Sequence, residues 1–74
     1  MTAQLPSRER LGEFERGVFY AAYLICELHD DPTIAADVIR EANLDGCVIS
    51  GLDACERKVL MKLNASDKLQ LRAR

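Results

Sequence analysis

Nine consecutive apolar residues, Val18 to Cys26 (VFYAAYLIC), sit inside a chain of only 74 residues. The run is too short to cross a membrane: Glu15, Arg16 and Glu27 bracket it, and a helical span takes roughly 20 apolar residues. It is also too uniformly apolar for an ordinary surface helix, which buries one stripe and wets the rest. A helix that is apolar around most of its circumference lies at the centre of a core or is shared with another chain.

The surrounding sequence makes the run part of a longer helix. Ser7 stands as an N-cap with Glu9 in the first turn, and Leu11, Phe14, Val18, Ala21, Ile25 and Leu28 recur at spacings of three and four. A first helix is predicted over about residues 7–29. Its inward stripe is Leu11, Phe14, Val18, Ala21, Ala22, Ile25 and Leu28. Phe19, Tyr23 and Cys26 form an adjacent apolar stripe, while Tyr20 and Leu24 lie on the far flank with Gly17. Two short helices screen only part of such a cylinder, because each neighbour covers one side. The expectation is a homodimer joined through Gly17, Phe19, Tyr20, Ala21, Tyr23 and Leu24. Tyrosine suits such a contact, burying a ring while keeping a polar tip wet.

HDDP ends the first helix and opens a second, with Asp31 as cap and Pro32 in the first helical position, where its missing N–H is harmless. The second helix is predicted over about residues 32–43, turning Ile34, Ala35, Val38, Ile39 and Ala42 to one side and Asp37 with Arg40 to the other. Asn43 and Gly46 suit the left-handed turn that follows. CVIS is brief and extended. Ser50 and Asp53 precede a third helix, about residues 52–63, with Leu52, Cys55, Val59, Leu60 and Leu63 inward and Asn64 as a stop. KLQLRAR alternates apolar and polar residues, which fits a short strand paired with CVIS or a basic tail. The chain reads as one all-α domain, residues 1–74, of three helices with an extended C-terminal segment; residues 1–6 and 72–74 are expected to be flexible ends.

A chain this short buries a limited share of its surface, so help from a disulfide, a metal, a second copy or close helix packing is expected. Three cysteines, Cys26, Cys47 and Cys55, are an odd number, unlike a secreted disulfide framework, and the N-terminus lacks a secretory apolar core. A cytoplasmic protein with reduced thiols is expected. Cys26-x-x-His29 has a ligand-like spacing, but Cys47 and Cys55 are too far apart in sequence for a usual zinc module. Buried thiols are the favoured reading, and no cofactor or metal is assigned. Nothing in the chain forms a Gly-rich phosphate loop, a calcium loop or a Cys–His nucleophile with room for a substrate, so no catalysis is expected.

Charge is distributed unevenly. Residues 1–50 hold four Lys/Arg and nine Asp/Glu, net −5, whereas residues 51–74 hold six and three, net +3. The tract IAADVIREANLDGCVISGL imitates a helix-turn-helix with Ala42, Asn43 and Leu44 as the turn, but Asp45 to Asp53 carries no Lys or Arg and two Asp, which repels phosphate. The basic residues Arg57, Lys58, Lys62, Lys68, Arg72 and Arg74 support only a secondary reading, a small nucleic-acid-associated regulator.

The tract HDDPTIAADVIREANL followed by LDACERKVLMKLN resembles the small orphan proteins of bacteriophages and prophages, in size, helix order and texture over most of the chain. The resemblance implies a non-catalytic accessory protein. Proteins of that kind include inhibitors of host defence, anti-CRISPR proteins among them, that block a large bacterial complex by occupying its surface. Many are strongly acidic mimics of nucleic acid; a net charge of −2 and a basic end depart from that pattern. Contact residues for such a partner are expected at Glu13, Arg16, Glu27, Asp30 and Asp31, with Arg57, Lys58 and Lys62.

Overall fold

Side-chain caps open the second and third helices, but not the first, in the computed structural model, which describes residues 11–73. Helix α1 spans Glu13–His29 and starts from Gly12, whose carbonyl accepts the Arg16 N–H at 3.0 Å. The cap expected at Ser7 lies outside the described residues. At the other end Asp30 turns left-handed, φ 51°, and its N–H returns to the Cys26 carbonyl. Helix α2, Pro32–Glu41, opens as the sequence predicts: the Asp31 carboxylate accepts the Ile34 N–H at 3.1 Å and Pro32 takes the first position. It stops at Glu41 instead of Asn43, because the chain enters its turn at Ala42 and then passes through left-handed Asn43 (φ 61°) and Gly46 (φ 80°).

Helix α3 spans Ala54–Asp67 and is capped by Asp53, which accepts the Glu56 N–H at 3.4 Å, and not by Ser50. It continues past Leu63 and Asn64 to a left-handed Lys68, φ 58°. The segment before it contains turns and a bridge, so the apparent helix-turn-helix has no second helix. CVIS and the C-terminal segment meet in parallel at one bridge, Val48 with Arg72. Ile49 N–H donates to the Arg72 carbonyl at 2.7 Å, and Arg72 N–H donates to the Cys47 carbonyl at 2.9 Å. Arg72, in the segment expected to be a flexible end, thus has both backbone groups hydrogen-bonded; residues 1–6 and 74 lie outside the described residues.

Phe19 and Ala22 of α1, Ala35, Ala36 and Ile39 of α2, and Leu60 and Leu63 of α3 meet in one core. Leu44, Ile49, Leu52, Leu69 and Leu71 complete it from the connecting and terminal segments. Alanine at positions 22, 35 and 36 keeps bulk low where the helices approach. Arg40 of α2 donates to the Asp67 carbonyl and pairs with Asp37 at 3.3 Å, bringing a cation to the C-terminus of α3, whose own last turn has none.

The inward stripe of α1 differs from the one the periodicity predicts. Phe14 and Leu28 are 68% and 71% exposed and Ala21 is exposed, while Phe19, expected at a contact between chains, is fully enclosed by its own chain. Leu11, Val18 and Ile25 pack at the edge of the core, beside Tyr23 and Cys26. A helix apolar on all sides carries no polar face strong enough to fix its rotation. Docking of α2 and α3 fixes it instead, with Phe19, the run's one phenylalanine, at the centre.

Candidate functional site: the outer face of the first helix

Turning Phe19 and Ala22 inward leaves an apolar seam on the opposite side of α1. Phe14, Gly17, Ala21, Leu24 and Leu28 follow one another at spacings of three and four, the repeat that keeps side chains on one line along a helix. Phe14, Gly17, Ala21 and Leu28 are exposed and Leu24 is half-buried. Tyr20 borders the seam, 50% exposed, its ring stacked on that of Tyr23 with centroids 6.1 Å apart. Five of the six residues expected to join two chains are thus at least partly open to solvent; Phe19 is the exception.

Next to the seam, Phe14 and Val18 join Ile34, Val38 and Ala42 of α2 in a shallow apolar groove with Asp37 and Glu41 at its rim. Phe14 and Ile34, exposed side by side, make this an apolar surface shared by the two helices. The sequence reading missed Ile34, half-exposed in this groove, because its spacing placed it with the core residues of α2.

The charged residues expected to meet a partner divide by location. Glu27 and Asp30 from α1 and Lys62 from α3 line one cleft of about 260 Å³, floored by Cys26, Val59 and Leu63. Glu13, Arg16 and Lys58 are exposed elsewhere, and Arg16 donates to the Gly51 carbonyl at 3.4 Å. Asp31 is half-buried and serves as the α2 cap. Arg57 is half-buried and donates through one guanidinium nitrogen to the carbonyls of Ser50 and Leu52, which closes the turn before α3.

No disulfide links the cysteines; Cys26 and Cys47 are half-buried, but Cys55 is exposed, contrary to the inward position expected for it. Burial, reinforced by the charges of Glu27 and Asp30, pushes the Cys26 thiol above its ordinary range, which keeps it protonated and a poor nucleophile near neutral pH. Among the described residues, no three His, Cys, Asp or Glu side chains gather as a metal set, and no helix is long and apolar enough to cross a membrane. No protein-family model, curated protein or solved structure matches this chain.

Proposed function

We infer that this chain is a non-catalytic macromolecule-binding protein, a homodimer joined through the outer face of α1 that acts in the cytoplasm by occupying the surface of a bacterial protein complex. One observation carries the reading: Phe14, Ala21 and Leu28 lie exposed in line on a helix whose opposite side already fills the core. Leaving two large apolar side chains in water forgoes roughly 1.5–3 kcal/mol each relative to burial, and a protein contact recovers it. The phage-type setting, an inhibitor or adaptor, is supported by the helix order and texture of the sequence. The cleft of Glu27, Asp30 and Lys62, with charges of both signs, is the polar surface offered to the second macromolecule.

Binding of nucleic acid through the basic end is the weaker reading, because Arg57 already donates to the Ser50 and Leu52 carbonyls and the segment Asp45 to Asp53 carries two acids and no cation. The test is capture from a bacterial lysate at low and high salt, using the wild-type chain and an Asp30→Lys, Lys62→Glu variant. Retention of a protein complex at both salt concentrations, lost in the variant, is the expected result. Retention of nucleic acid that disappears steeply as salt rises would reverse the reading.

A further inference from the structure

Gly17 stands in the second turn of α1, inside the helix, where glycine destabilises by about 1 kcal/mol relative to alanine, and a Cβ there would meet nothing within 4 Å. The chain's own packing gives no reason for it. Four residues on, Ala21 is also exposed and small, while Leu24 and Leu28 complete the seam with bulk. Read from Gly17 to Leu28, the seam is small, small, large, large.

We propose that two copies pair antiparallel along α1 in one register, with Gly17 against the partner's Leu28 and Ala21 against the partner's Leu24. This deepens the reading of the outer face as a dimer contact and rests on it. In this register each of the four layers sets one small residue against one leucine, so the helices keep a constant separation. A parallel pair stacks like on like: Gly17 on the partner's Gly17 leaves a void, while leucine on leucine holds the axes apart. Shifting the antiparallel pair by one heptad has the same defect, bringing Phe14 against the partner's Leu24 and Gly17 against the partner's Ala21.

The flanks agree with the proposed register. Val18 comes opposite the partner's Ile25, apolar on apolar, and Tyr20 comes opposite the partner's Glu27, where a hydroxyl can donate to a carboxylate. No acid meets an acid across the seam. Phe14 passes the last layer and reaches the level of the partner's Asp31, at the corner between α1 and α2. The four layers span about 17 Å at 1.5 Å per residue, a small contact, so association is expected in the micromolar range.

Sedimentation equilibrium on the full chain and three variants tests this. Gly17→Leu is the first, since its side chain has room in the single chain and improves helix propensity. Antiparallel pairing predicts that it weakens association roughly tenfold or more, by forcing leucine against leucine. The double variant Gly17→Leu, Leu28→Gly, which exchanges the partners within a layer, restores association to near wild type. If Gly17→Leu strengthens association, the pair is parallel and the register is overturned while the face stands. Leu24→Arg separates the two claims: loss of the dimer supports the face, whereas an unchanged dimer overturns the face and the register with it. A wild-type chain that stays single, or forms particles only with a different protein, overturns both.

Discussion

Asn64 grips Leu71 by both of its backbone groups: the Asn64 Oδ1 accepts the Leu71 N–H at 2.7 Å, and Nδ2 donates to the Leu71 carbonyl at 2.9 Å. A side-chain amide thus plays the part of a neighbouring strand, holding the C-terminal segment against α3. Leu69 and Leu71, both buried, depend on that hold for their places in the core.

Replacing Asn64 by leucine is expected to lower the unfolding free energy by about 2–3 kcal/mol, since it leaves a half-buried N–H and C=O without partners. Urea denaturation followed by circular dichroism checks this. A loss below about 0.5 kcal/mol, the size of an ordinary surface change, would show that the amide is not holding the segment.

Lys68 closes α3 in the left-handed conformation, φ 58°, which strains a lysine and is free of cost for glycine. Lys68→Gly is therefore expected to stabilise the fold by about 1 kcal/mol. Thermal or urea unfolding of the variant measures it, and a destabilisation of the same size would mean that this turn has another conformation in solution.

Much of the backbone plan is legible in the sequence because caps are local. Asp31 before Pro32 and the Asn43 and Gly46 turn carry their geometry in residue type alone, whereas Ser50 and Asp53 compete for the start of α3 and only Asp53 caps it. The pairing of CVIS with the end of the chain is legible as one of two options, since alternation in KLQLRAR fits a strand and a tail equally. The rotation of α1 is not legible: Phe14 and Phe19 are both apolar, and only the arrival of Ala35, Ile39 and Leu60 decides which is enclosed. Nor is the role of Asn64, which reads as a helix stop but bonds to a backbone seven residues away.

Alkaline pH should loosen the fold. Burial, with Glu27 and Asp30 adding to it, holds the folded Cys26 thiol above its ordinary value of 9.0, and Tyr23 is raised from 10.0 by burial and then by Glu27. Raised folded values mean that the stability these groups contribute is complete below the unfolded values and is lost as pH rises through the folded ones. Unfolding free energy measured from pH 8 upward, on the order of one unit at a time, is expected to fall beginning near the thiol's range. Cys26→Ala should flatten the first part of that fall, whatever it does to the overall level. An unchanged slope would mean that the thiol is not desolvated.

Removing the Asp31 carboxylate should cost about 1 kcal/mol, as Asp31→Ala leaves the Ile34 N–H without its acceptor at the start of α2. Chemical denaturation of the variant checks it. Asp31→Ser is expected to recover most of the loss, because a hydroxyl can accept the same bond, whereas no recovery would point to charge and not capping.

A contact between chains along the outer face of α1 doubles the mass of the particle in solution. Sedimentation equilibrium of the wild-type chain across roughly 1–200 micromolar should show a reversible rise from one chain to two, and Leu24→Arg should hold the mass at one chain throughout. A wild-type mass of one chain over that whole range, with Phe14 and Leu28 still open to solvent, would contradict the account.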